Sequence, residues 1–182
     1  MRIKEHRKMR ENIRDIFKII KMTIIGLIVA ILIYPFTHEF GHTLLSLING
    51  AEVVEFKLLP IPYITCNIGG LTTNEIIAIG FAGNIIPLII NSIVDIITIN
   101  IKIFEVTYFK MYFYFCCWLS MVLSAISAIF RIMEQDDIYN IISKFPDKRN
   151  ICTIICIFLA IVIMIRIYKM DIKSQLINYI NN

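Results

Sequence analysis

The chain has 182 residues, of which 58% are hydrophobic and 18% charged, with a net charge of +4. A soluble domain of this length buries its apolar residues on patterned faces. The long unbroken apolar runs seen here exclude such a fold and predict a single-domain, all-α polytopic membrane protein. The basic excess lies beside an apolar run, where it reads as an anchor on anionic lipid and not as a nucleic-acid site.

Residues 1–22 form a basic juxtamembrane segment. Eight Lys/Arg residues, from Arg2 to Lys21, stand there against Glu5, Glu11 and Asp15. Ile13, Ile16, Phe17 and Ile20 recur at helical spacing, so this segment either lies on the membrane surface before the chain turns inward or is a positive-inside signal and nothing more. A cleaved signal peptide does not fit, because the following apolar run is too long and ends in no A-x-A-like site.

The first span is read over 23–48, with a kink at Pro35 and a stop at Asn49-Gly50. Residues 51–75 do not span. Val53, Val54, Phe56, Leu58 and Leu59 favour strand, Pro60 and Pro62 interrupt it, and Gly69-Gly70 marks a turn, which predicts a short membrane-associated hairpin or re-entrant segment. The second span is read over 76–99, with Gly80, Gly83, Asn84, Pro87 and Asp95. The third covers 109–133, where Ser120, Ser124 and Ala128 recur every four residues as a close-packing face. A polar stretch, 134–150, leads to a fourth span over 151–168, in which Arg166 can snorkel to the interface. The polar tail, 169–182, is expected as a short surface helix.

Four spans put both termini on one face. The amino-terminal cluster, Lys102, Lys110, Arg166, Lys169 and Lys173 gather there, so the termini are placed in the cytoplasm, with a prokaryotic plasma membrane as the expected location. The five cysteines, Cys66, Cys116, Cys117, Cys152 and Cys156, are odd in number and form no C-x-x-C, which excludes a disulfide framework and a zinc ribbon. The last four read as small buried hydrophobes.

The chemistry concentrates in His38-Glu39-Phe40-Gly41-His42. In this H-E-x-x-H pattern two histidines project from one helix face and can share one zinc ion, while Glu39 takes the proton of the zinc-bound water. Polar and metal-binding groups inside an apolar span are costly and mark function. A third ligand must come from elsewhere. His38 lies about 22 Å along the axis from Thr23, toward the outer face. The third span runs in the same direction, so Glu134, Asp136 and Asp137 emerge beside the motif and any of them could complete the site.

H-E-F-G-H in an apolar helix, the strand-like segment after it and a later carboxylate near a span end together resemble the site-2 proteases, which are intramembrane zinc metalloproteases. The resemblance covers roughly residues 23 to 145. It implies one zinc ion per chain and an aspartate as third ligand. Asp137-Ile138-Tyr139-Asn140-Ile141 fits that element best, although the usual glycine after the aspartate is missing and Asp136 stays open. Gly83-Asn84-Ile85-Ile86-Pro87 loosely matches a second family motif, so Asn84 either orients substrate or the bound water, as the resemblance implies, or only hydrogen-bonds between helices, the simpler reading. The substrate would be a transmembrane or membrane-proximal peptide, unwound against a strand edge in 53–70. Family members place zinc nearer the cytoplasmic side, whereas the charge distribution here places it toward the outer face.

Two other readings stand beside this one. Prenyl-protein-type membrane metalloproteases share H-E-x-x-H but use a glutamate, and Glu134, three residues after Arg131, resembles that element. The third is a non-catalytic metal-binding membrane protein. Lipid bilayer and a membrane peptide are the expected partners, nucleic acid is not, and association with a second copy stays open.

Overall fold

In the computed structural model of the chain, the described residues are 2–57, 62–101, 103–134, 136–170, 175, 177 and 179, with side chains from Ile13 onward. Leu58, Leu59, Pro60, Lys102, Lys173 and most of the polar tail lie outside them. Among the described residues, four helical stretches are long and apolar enough to cross a membrane: Ile13–Ile48, Thr73–Ile97, Phe104–Phe130 and Pro146–Tyr168. The mostly helical fold and its small sheet agree with the expected architecture.

Helix α1 (Arg2–Ile28) passes through a π-helical turn, Val29–Ile33, into α2 (Tyr34–Ile48). The basic segment is therefore not a separate surface helix. No proline separates it from the span, so the helix continues upward unbroken. The π turn expresses Pro35. Proline has no N–H for the carbonyl four residues back, and the chain answers with a wider turn in which the Tyr34 N–H bonds Val29 O. Thr37 Oγ1 adds a donor to the disturbed segment, 2.9 Å from both Ile33 O and Tyr34 O. At the far end, Gly50 (φ +76°) allows a left-handed exit. Ala51 N–H bonds Ser46 O and Gly50 N–H bonds Leu47 O, the paired bonds that close a helix in this way.

The hairpin follows. Strands β1 (Glu52–Lys57) and β2 (Tyr63–Asn67) pair antiparallel, with Phe56 opposite Ile64 and an irregularity between Val53 and Glu55. Helix α3 (Thr73–Ile97) starts three residues earlier than the sequence suggests, because Thr72 and Glu75 form a reciprocal capping box. Helix α4 (Phe104–Phe130) returns beside it, and α6 (Arg149–Tyr168) packs along α4.

Between α4 and α6, the polar stretch holds a short helix, α5 (Asp137–Lys144). Its Ile138, Ile141 and Ile142 are buried with Phe81, Ala125, Ala128, Cys152 and Cys156. Burial of three isoleucines anchors a helix too short to persist alone. Cys117, Cys152 and Cys156 are buried and Cys116 half-buried, all as free thiols. Toward the termini, Asp95 of α3 bonds Lys110 of α4 at 3.0 Å and also pairs with Arg166 of α6. Arg166 thus ties helices together as well as reaching outward.

Candidate metal centre

The site begins with close approach between α2 and α3. A Cβ on Gly41 would run into the carbonyl of Ala82, and one on Gly83 would run into His42 and lie 2.8 Å from His38 Cε1. Two glycines, one on each helix, therefore make room for the imidazoles. Pro87, four residues after Gly83, also removes the N–H that would have served the Gly83 carbonyl.

Three donor atoms meet in this space. Asp137 Oδ2 lies 3.0 Å from His38 Nε2 and 3.0 Å from His42 Nε2, and the two nitrogens are 3.2 Å apart. The rings stand nearly perpendicular, at 84°. A tetrahedral zinc ion with ligands at about 2.0–2.1 Å would set its donor atoms about 3.3 Å apart. The observed triangle is only slightly tighter.

The protonation pattern also fits an ion. His42 Nδ1 lies 2.7 Å from the Ile79 carbonyl, an acceptor, so Nδ1 carries the proton and Nε2 presents a lone pair. That lone pair, a carboxylate oxygen and the His38 Nε2 face one another. Such a cluster needs a proton or a cation between its members, and a metal ion can take that place when both histidines present unprotonated Nε2. His38, His42 and Asp137 therefore form a group that could hold a metal ion.

The structure brings Asp137, and neither of its acidic neighbours, to the histidines. Asp136 is the N-cap of α5: Oδ1 accepts from the Tyr139 N–H at 3.0 Å and Oδ2 from Ser124 at 2.7 Å. Glu134 is exposed and lines a neighbouring cavity instead. The two aspartates titrate in opposite directions. Burial would raise Asp137, but the hydrogen bonds and charge of His38 and His42 outweigh it and hold the carboxyl well below the usual carboxylate range. Burial raises Asp136 in spite of its bonds to Ser124 and Tyr139.

The turn that delivers Asp137 is held from several sides. Arg131 (φ 54°) and Met133 (φ 67°) occupy the left-handed region, which costs side-chain-bearing residues energy and needs support from their surroundings. Ser127 donates to the Ile132 carbonyl. Arg149, at the start of α6, donates from Nε to Ala128 O at 2.9 Å and from Nη2 to Ile129 O, closing the end of α4. On α3, a Cβ at Gly80 would collide with Ile141, so that glycine seats α5.

Glu39 lines a 420 Å³ cavity together with Tyr34, His38, Asn84, Ser120 and Asp137, and the backbone of Ile64 in β2 lies within hydrogen-bonding reach of its carboxylate. Asn84 is held by two hydroxyls: Tyr34 donates to its Oδ1 at 3.1 Å and Ser120 at 2.6 Å. The shorter distance suits O–H···O, which leaves the amide N–H groups as donors. Sequence reading named His38, Glu39, His42, Asn84 and Asp137, and these line one cavity or touch the group within it. It missed Gly83, the Ile79 carbonyl, Tyr34 and Arg149. Only Gly83 left a trace in the sequence, as a small residue in an apolar helix beside Asn84.

No family model, curated protein or solved structure matches the chain.

Proposed function

We propose that this chain is a zinc-dependent intramembrane endopeptidase, similar to the site-2 proteases, that hydrolyses peptide bonds in or near transmembrane segments. The observation that carries this reading is the triangle of His38 Nε2, His42 Nε2 and Asp137 Oδ2, with edges of 3.0, 3.0 and 3.2 Å, beside Glu39. In this reading the four apolar helices cross the bilayer, and the basic residues at the terminal end keep both termini in the cytoplasm.

Bound there, zinc supplies Lewis acidity and brings the pKa of a water molecule to about 7. Glu39 takes a proton from water as the water oxygen attacks the scissile carbonyl carbon. It then delivers that proton to the leaving nitrogen as the C–N bond breaks. The N–H groups of Asn84 donate to the substrate backbone, and the cavity walls exclude bulk water. Asp137, held ionised, supplies the negative charge that two neutral imidazoles lack.

Metal analysis paired with cleavage of a model membrane peptide tests the reading. The parent protein should carry one zinc per chain, Asp137→Ala should lose it, and Asp136→Ala should keep it. Glu39→Gln should keep zinc and lose cleavage by about 10²–10⁴-fold. Parent-like cleavage by Glu39→Gln would sink the peptidase mechanism. Loss of zinc from Glu134→Ala but not from Asp137→Ala would transfer the third-ligand role to Glu134.

A further inference from the structure

We infer that the cleft between the Val29–Ile33 turn and α4 is a substrate subsite that takes a bulky apolar side chain next to the scissile bond. This rests on the peptidase reading above. The cleft is a cavity of 790 Å³, with Ala30 on one wall, Cys116, Leu119 and Leu123 on the other, and Met133 and Glu134 among its lining residues. It shares Tyr34, Ser120 and Asp136 with the 420 Å³ cavity that holds Glu39 and the metal-binding group. The two form one trench with the reacting groups at one end.

The packing explains why the trench is open. Toward the termini α1 and α4 touch closely: a Cβ on Gly26 would lie 3.2 Å from the Tyr112 ring, and Lys21 bonds Glu105 at 2.6 Å. Farther along, α2 turns onto α3 while α4 packs along α6. Val29 still packs on Phe113, Cys117 and Met121 of α4, so the opening lies to one side of that contact. Ala30, one turn beyond Gly26, is too small to fill it.

The lining selects an occupant. A volume within about 300–1,000 Å³ accommodates a drug-sized molecule, comparable to a few residues of peptide with one large side chain. Ala30, Cys116, Leu119 and Leu123 reward each buried methylene, while Glu134 and Asp136 stand apart among the lining residues. At the junction with the metal cavity, the Tyr34 and Ser120 hydroxyls are committed to Asn84 Oδ1, and the Asn84 amide N–H groups remain as donors. A peptide carbonyl uses such donors; a lipid acyl chain, the rival occupant, does not.

The test uses zinc-loaded full-length protein in detergent micelles and single-span model peptides. These carry Ala, Leu or Phe at each residue flanking the cut, and kcat/KM is measured for each. At one flanking position, Leu and Phe should exceed Ala by about tenfold or more. Ala30→Phe and Leu119→Trp, which fill the trench from opposite walls, should collapse the Phe/Ala ratio toward one while zinc content stays at the parent level. Equal rates across the series would overturn the inference. So would an unchanged ratio in both filled variants, which would assign the trench to lipid chains. Loss of zinc from both variants would also overturn it, by making these side chains supports of the metal group. If the zinc-loaded parent cuts no peptide, the peptidase reading itself fails and the subsite falls with it.

Discussion

Gly83→Ala separates the demands of the helix from those of the metal group. Gly83 lies inside α3, where alanine favours helix over glycine by about 0.5–1 kcal/mol, so local propensity alone predicts a more stable protein. The added methyl, however, would lie 2.6 Å from His42 Cε1 and 2.8 Å from His38 Cε1, and closer still to His42 Nε2. Ordinary carbon contact begins near 3.4 Å, so both rings must give about 0.6–0.8 Å. Metal–ligand distances tolerate about 0.2 Å, and the His42 ring is also held by its bond to the Ile79 carbonyl. Zinc affinity should therefore fall by about 10²-fold or more, while helix content and melting temperature of the metal-free protein hold or rise. Competition against a chromophoric chelator measures the first, and circular dichroism in detergent the second. Gly41→Ala is the contrasting control: its methyl meets the Ala82 backbone, which cannot swing aside, so both metal binding and stability should drop. Parent-like zinc affinity in Gly83→Ala would refute the claim that Gly83 exists to admit the two imidazoles.

Three further outcomes follow from the same geometry. Arg149→Ala removes the donors that close the end of α4, and should cost about 1–3 kcal/mol of stability and weaken zinc binding by loosening the turn that carries Asp137; unchanged zinc affinity would show that the turn holds itself. Because the Asp137 carboxyl is lowered, it stays ionised through mildly acid pH, and the histidines should set the acid limit: zinc affinity, followed by chelator competition from pH 8 to pH 4, should fall as the imidazoles protonate and before any carboxylate does. A fall beginning only near pH 4 would assign that limit to a carboxylate instead. Cys66, a free thiol on β2 near the metal end, and a tag on the amino terminus should react with impermeant reagents from opposite sides of a sealed membrane; reaction from the same side would contradict the crossing of Ile13–Ile48.

What could be read from the sequence was whatever repeats along the chain. Apolar runs of span length, the four-residue step from His38 to His42, and the Asn49-Gly50 stop are local; the step and the stop stand where expected, and the helices overlap the expected spans with shifted ends. What could not be read was a choice that tertiary packing makes. Asp136 and Asp137 are neighbours at the start of a helix, about 100° apart in projection. Only the packing of Ile138, Ile141 and Ile142 decides that Asp136 turns to Ser124 and Asp137 to the histidines. The apolar spacing of those isoleucines was visible, but eight residues are too few for periodicity to mark a helix against a charged background. The Ile79 carbonyl is backbone and leaves no trace in residue type. Pro35 announced a break, but not that the break would be a π turn whose neighbours border both halves of the trench.

The polar groups inside the apolar helices are sorted by height, and this sorting bears on how the metal site is reached. Along α3 the carbonyl that bonds His42 belongs to Ile79, and the ionic cluster with Lys110 and Arg166 centres on Asp95. About 24 Å of helix separates them, somewhat less than the roughly 30 Å of a hydrocarbon core. Ile13–Ile48, at 36 residues, is about 54 Å long and must project beyond such a slab. A charged cluster is least costly at the edge of the apolar layer. If the proposed crossing sets the Asp95 cluster at the terminal edge, the group that could hold a metal would lie close to the opposite edge and not at mid-depth. Water then has a short path to Glu39 from that face, while the trench between Ala30 and Leu119 runs down into the apolar layer. On the proposed peptidase reading, hydrolysis inside a membrane needs both routes, and the cleft beside Ala30 and Leu119 would supply the second without any opening through the middle of the bundle.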